Sequence, residues 1–145
     1  MSDIAVAVRV EIEEIHRFFV RWFAGDANTI ELDEFLLPRL DTDLVYVTPD
    51  GHRFGRDALV SMLRKGHGDN ADFRIRVEDV RIRRELGDDL LATYTEWQRG
   101  ARASSQAENA RITTVLLTKR QPFRWLHIHE TWLPEAERAA GSFDF

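Results

Sequence analysis

The sequence predicts an α+β fold: a curved antiparallel sheet wraps around a long N-terminal helix, with two shorter helices beside it. Three observations predict it. The first 25 residues carry apolar side chains at helical spacing, several long segments between residues 73 and 134 alternate at strand spacing, and the first long strand switches its apolar parity midway. A sheet bent in this way closes over a helix and leaves a conical hollow.

The elements are read in chain order. Val8, Ile12, Ile15, Phe19, Trp22 and Phe23 recur every 3.6 residues over 3–25, with Arg9, Glu13, Arg17 and Arg21 opposite, which is the pattern of an amphipathic helix. Ser2 or Asp3 can cap its start and Gly25 can end it. A short helix over 29–37 stops at Pro38, and Leu44–Val47 is a brief strand turned by Pro49-Asp50-Gly51 into a second one at His52–Phe54. Gly55 leads into a third helix, Arg56 to Lys65. In 73–86 the apolar positions are Phe73, Ile75 and Val77, then Val80 and Ile82. A one-residue slip flips every later side chain, so a β-bulge belongs at Glu78–Asp79. Leu90–Arg99 and Arg111–Lys119 are further strands, Arg120–Phe123 is a hairpin loop, and 135–145 is a loose tail after a single domain spanning 1–134.

Composition bounds the function. A chain of 145 residues, 43% hydrophobic with nine Phe and four Trp, can bury about 70% of the surface its unfolded form exposes. The net charge of −5 argues against a general nucleic-acid partner. The absence of cysteine removes disulfides, thiolate nucleophiles and cysteine metal sites. No apolar run reaches the length of a membrane span and no signal peptide is read at Met1-Ser2-Asp3, so the expected setting is cytoplasmic, with neither membrane nor nucleic acid as partner.

The last strand, Arg124–Pro134, carries the most chemical information. One face reads Leu126, Ile128, Glu130, Trp132 and the other Trp125, His127, His129, Thr131. A carboxylate set among large apolar groups marks the first face as a pocket wall. With a four-residue loop at 120–123, the hairpin pairs Leu117 with Leu126, Val115 with Ile128, Thr113 with Glu130 and Arg111 with Trp132. Arg111 is then a diagonal neighbour of Glu130 on one face, and a buried carboxylate needs such a partner to stay ionised. Glu130 is the candidate catalytic group, as an orienting anion or a general acid–base; a structural ion pair at the cone's mouth is the other reading and the favoured one.

In four places the chain resembles the nuclear transport factor 2-like superfamily, in its SnoaL-like and uncharacterised bacterial branch: Phe23-Ala-Gly-Asp26, Asp43–Gly51, Gly55–Leu59 and Trp125–His129. The likeness spans roughly residues 5–134 and makes 1–134 one domain of that type. It implies a cone-shaped α+β barrel, often a homodimer through the outer sheet face, here including Trp125 and His127. Some members are isomerases, dehydratases, cyclases or epoxide hydrolases; others are binding or assembly modules. The steroid-isomerase members carry a tyrosine where this chain has Phe18 and an aspartate where it has Thr48, so their arrangement is not expected.

The pocket expected from these readings is lined by Phe19, Trp22, Tyr46, Trp97, Arg111, Thr113, Glu130 and Trp132 and takes an apolar small molecule. The alternation of Thr93, Thr95 and Trp97 against Tyr94 and Glu96 does not choose a face; the resemblance implies Trp97 inside. His127-x-His129 has a spacing that metals use, but no third ligand stands on the same element, and a neighbouring strand would have to supply one such as Glu96. No metal or cofactor is expected. His16 lies at the edge of the helix stripe and reads as a structural histidine. Arg74, Arg76, Arg81 and Arg83, interleaved with acids, read as a solvated or dimer-facing surface. Two functions are compatible with these features: a small-molecule-binding pocket protein, with enzymes of isomerase, dehydratase or cyclase type among its forms, or a non-catalytic dimerisation or regulatory module whose hollow is filled.

Overall fold

The computed structural model describes residues 2–145. Helix α1 (Asp3–Ala24) starts where Ser2 accepts a hydrogen bond from the Ala5 amide and ends at Gly25, whose φ of 83° is the left-handed conformation glycine takes freely. Its buried stripe includes Val8, Ile12, Ile15, Phe18 and Trp22, and also two polar residues, Glu11 and His16. The second helical segment runs further than expected and changes pitch: α2 (Thr29–Glu31) widens into a π turn (Leu32–Leu36), then tightens into a 3-10 turn (Leu37–Arg39). Pro38 sits in that last turn, where its missing N–H costs nothing.

Strands β1 (Leu40–Val47) and β2 (Arg53–Gly55) precede α3 (Arg56–Lys65), and β3 (Arg74–Leu86), β4 (Asp89–Arg99), β5 (Asn109–Thr118) and β6 (Trp125–Trp132) come after it. β1 begins at Leu40 rather than at the expected Leu44. The six strands form one open, curved sheet in the order β2-β1-β6-β5-β4-β3. All neighbours are antiparallel except β1 and β6, which are parallel. That pair is joined through α3 and the intervening strands, so no tight turn dictates its direction.

The bulge falls where the parity switch put it. The β3–β4 register shifts between Glu78 and Arg81, and Asp79 has φ 56°. The β5–β6 register is as expected for Arg111 with Trp132, Thr113 with Glu130 and Val115 with Ile128. It then slips, and Leu117 pairs with Trp125 rather than Leu126. This slip corrects the expected outer-face position of Trp125. The indole turns into the core, 1% exposed, and its Nε1–H donates to Glu11 Oε2 at 2.9 Å.

A second correction concerns β4. Leu90, Ala92, Tyr94 and Glu96 share the inner face, and Trp97 points to the opposite side. There it packs with Ala110, Leu133, Phe143 and Phe145. The tail is therefore not loose: it forms α4 (Glu135–Ala140) and then lies against the sheet. Among the described residues no helix is long and apolar enough to cross a membrane.

Candidate functional site

One end of the sheet's inner face holds a continuous group of polar side chains. β6 contributes Glu130, β5 Arg111 and Thr113, β4 Glu96 and Gln98, β1 Tyr46 and α1 His16. Glu130, 6% exposed, accepts from the Tyr46 hydroxyl at 2.5 Å and from Arg111 Nη1 at 3.2 Å, both at Oε1. Arg111 Nη2 reaches on to Gln98 Oε1 at 3.1 Å and Asn109 Oδ1 at 2.8 Å. Gln98 in turn donates to Glu96 Oε2 at 2.5 Å. The network ends on His16, whose Nε2 is 3.0 Å from Glu96 Oε1 and whose Nδ1 is 2.6 Å from the Ile12 carbonyl. Both imidazole nitrogens face acceptors, so the ring is satisfied when it carries both protons.

The charges are shared unequally. Burial pushes Glu130 up, the anion of Glu96 adds to it, and Arg111 and Tyr46 only partly oppose them, leaving its carboxyl at about 7. Glu96 is also desolvated, but His16 beside it, then Arg111 and Gln98, hold its carboxyl at about 2. Burial alone would lower His16, yet Glu96 outweighs it and the imidazole is raised. Tyr46 and Tyr94 are raised by burial next to these carboxylates and remain phenols. Two carboxyls of one cluster thus stand on opposite sides of their ordinary value, which is how one site holds a fixed anion beside a proton-exchanging acid.

Of the expected lining residues, Tyr46, Arg111, Thr113, Glu130 and Trp132 come together. Thr113 is fully buried and faces Glu130 across the strands. Trp132 stands at the rim, its ring 4.9 Å from the Arg111 guanidinium and its Nε1–H on Asp50 Oδ1 at 3.0 Å. Phe19 is half-buried and meets His16 edge-on at 5.9 Å. Trp22 is a core residue, stacked on Phe18 and donating to the Leu63 carbonyl at 2.7 Å, and Trp97 is on the far face. The expected aromatic wall is thus divided, and its place is taken by His16, Glu96, Gln98 and Asn109. The β4–β5 register sets Glu96 directly opposite Arg111, a charge complementarity visible in the sequence once Leu90 and Ala92 fix the parity.

His127 and His129 lie on the outer face, ring centroids 6.1 Å apart; among the described residues no three acidic or imidazole groups gather as a metal site. Two surface hollows lie away from Glu130. One of about 590 Å³ is bounded by Asp88, Asp89, Thr118, Lys119 and Arg120, and one of about 390 Å³ lies between the β3 bulge and α4.

A long helix with two shorter ones, crossed by an open, curved six-stranded sheet, is the nuclear transport factor 2-like architecture. A nuclear transport factor 2-like protein of unknown function from Pseudomonas aeruginosa is similar at TM-score 0.76 and 28% identity, covering 88% of this chain and 98% of that one. At the level of the fold alone, the chain is similar to an uncharacterized protein with a cystatin-like fold from Caulobacter vibrioides (TM-score 0.68, 18% identity, 96% of each chain). The association domain of C. elegans CaMKII is similar in the same sense (TM-score 0.61, 13% identity, 90% of this chain and 99% of that one). Within this architecture the chain belongs to the sucrose-6-phosphate phosphohydrolase C-terminal family, which it matches over residues 9–134. Among curated proteins it is similar to sucrose-phosphatase 2 of Nicotiana tabacum, 28% identical over 134 residues, and to sucrose-phosphatase 1 of the same plant, 27% identical. The alignments cover 85% and 87% of this chain but only 30% and 31% of those proteins.

Proposed function

We propose that the domain binds a small molecule at the mouth formed by Tyr46, Arg111, Glu130 and Trp132, and that Glu130 is the group that orients the ligand or exchanges a proton with it. The observation that carries this reading is a buried carboxyl held at about 7 between a phenol and a guanidinium. Near neutrality such a group is present in both forms, as general acid–base steps of isomerase, dehydratase or cyclase type require. Trp132 offers an aromatic face, and Asp50 and Glu130 offer acceptors beside it. Those features suit a ligand with both an apolar face and hydroxyl groups, a broader class than the purely apolar molecule expected from an aromatic wall. The names of the curated relatives make sucrose the first compound to try.

The test is titration calorimetry with sucrose and a panel of cyclic polyols and ketones. Glu130→Gln should keep the fold and weaken binding of the responding compound about tenfold or more, the loss expected when one charged hydrogen bond goes. Identical binding by wild type and variant sinks the assignment of Glu130.

A second reading, a non-catalytic self-association module, has its own support. The interior charges are partnered by one another, and both surface hollows lie away from them. On that reading the chain pairs with a second copy through the outer faces of β1, β5 and β6, where Val45 is exposed beside His127 and Ile112 beside Thr131. Trp125, being in the core, has no part in it. Sedimentation at tens of micromolar, where a standard interface holds, should give a dimer; a monomer there counts against this surface.

A further inference from the structure

The family match ends at residue 134, and the C-terminal segment beyond it takes no part in the cluster around Glu130. After α4, residues 141–145 run across the outer face of β4 with alternating burial: Gly141, Phe143 and Phe145 are partly buried while Ser142 and Asp144 are exposed. That is the two-residue period of an extended chain lying on a surface. The Phe143 ring meets Trp97 edge-on at 5.6 Å. Phe145 lies under two guanidiniums, Arg76 at 4.9 Å and Arg99 at 5.7 Å, and Arg99 Nη2 donates to its carbonyl. Gly141 sets the approach. Its backbone angles are open to any residue, but a Cβ there would come within 2.1 Å of a Trp97 ring carbon.

The fit is incomplete. Trp97 is only 9% exposed, yet among the described residues its indole Nε1 has no partner, and neither have Arg76 Nε and Arg99 Nε. Buried donors are almost always satisfied, so this strip presents hydrogen-bonding capacity that the tail leaves unused. Beside it lies the hollow of about 390 Å³ bounded in part by Thr95, Trp97, Leu133 and Gly141. The occupant that would use both is an extended peptide longer than the tail, carrying two aromatics two positions apart and supplying backbone carbonyls to the spare donors.

We propose that the outer face of β3 and β4 around Trp97, Arg76 and Arg99 is a groove for an extended aromatic-x-aromatic segment of a partner protein, kept closed in the free chain by its own residues 141–145. The tail then acts as an internal competitor. A partner's apparent affinity is reduced by the fraction of molecules in which the tail is docked.

Fluorescence polarisation with a labelled Ala-Gly-Ser-Phe-Asp-Phe peptide tests this on the full chain. Two variants open the groove differently: Phe143→Ala/Phe145→Ala removes the anchors, and Gly141→Ala drives a methyl group against the indole. Each should bind the peptide about tenfold or more tightly than wild type, the gain expected if the tail is docked nine-tenths of the time. Arg99→Ala added to either should abolish the gain, and a peptide with both phenylalanines replaced by alanine should not bind. Equal binding by wild type and opened variants, or equal binding of the substituted peptide, overturns the proposal. Should neither variant fold, the wild type decides: excess unlabelled peptide should release the tail and move the Phe143 and Phe145 backbone amide resonances toward unstructured positions, and unmoved tail resonances overturn the proposal as well.

Discussion

Glu130 and Arg111 are 3.2 Å apart, yet the pair does not behave as a simple salt bridge. The carboxyl titrates at about 7 in the fold against 4.5 for an ordinary glutamate, so between those values the folded chain holds a proton that the unfolded chain has released. Stability must then fall as pH rises from 4.5 to 7, by an amount on the order of 3 kcal/mol for a shift of that size. Glu130→Gln removes the titration, and its unfolding free energy should be flatter over the same range; a slope as steep as wild type in urea melts at closely spaced pH values would refute the assignment. Arg111 is the other half of the balance. It serves Glu130, Gln98 and Asn109 at once, and Arg111→Ala takes a donor from each, leaving Glu130 with the Tyr46 hydroxyl alone. A loss of about 3–5 kcal/mol is expected, the cost of breaking a buried pair by removing one partner, and chemical denaturation at pH 7 measures it.

Among the elements, β3 depends on its bulge. Asp79 takes φ 56°, which an aspartate tolerates better than most residues, and its carboxylate holds Arg81 Nε at 2.6 Å. The bulge inserts the residue that turns Val80 and Ile82 back toward the core cluster, where both are packed. A β-branched residue at such φ is strained, so Asp79→Val should cost about 1–2 kcal/mol, whereas Asp79→Gly should lie near wild type. Equal stability of the two variants in guanidinium melts would show that the backbone there is not constrained. The slip in β6 works by the same geometry. It moves Trp125 from one face to the other and gives the buried Glu11 a donor alongside Arg39, whose Nε lies 3.2 Å from Glu11 Oε2.

For the molecule as a whole, the cluster ties α1 to the sheet and gives stability a definite pH dependence. Glu96, held at about 2, contributes stability that is present above 4.5 and lost as pH falls toward 2. His16, raised above 6.5, contributes stability that is present below 6.5 and lost as pH rises through its folded value. Glu130 adds its penalty above 4.5. Together they place the greatest stability at about pH 5, at the acidic end of the range in which most domains are stablest. A thermal midpoint that peaks at about pH 8 would contradict the cluster. His16→Ala should lower the midpoint at about pH 5, because Glu96 loses the cation beside it, and should move acid unfolding to higher pH, since a stranded carboxylate gains a proton sooner.

What the sequence determined by itself was everything set by local periodicity. The α1 stripe ending at Gly25, the parity switch at Glu78–Asp79 and the pairing of Arg111, Thr113 and Val115 with Trp132, Glu130 and Ile128 are each fixed by residues close in the chain or joined by one hairpin. Glu130 and its partner Arg111 were legible for that reason. Tertiary structure decided whatever depended on a face being chosen. Trp125 went inward because one register slip in β6 reverses it, and a slip leaves no mark in an alternation that reads well both ways. Trp97 went outward because Leu90 and Ala92 claim the inner face of β4, and the tail that covers it comes from two strands and a helix further along the chain. His16 met Glu96 across 80 positions. No local pattern records such a meeting, because it exists only once the sheet has curved around the helix and brought the two charges out of water together.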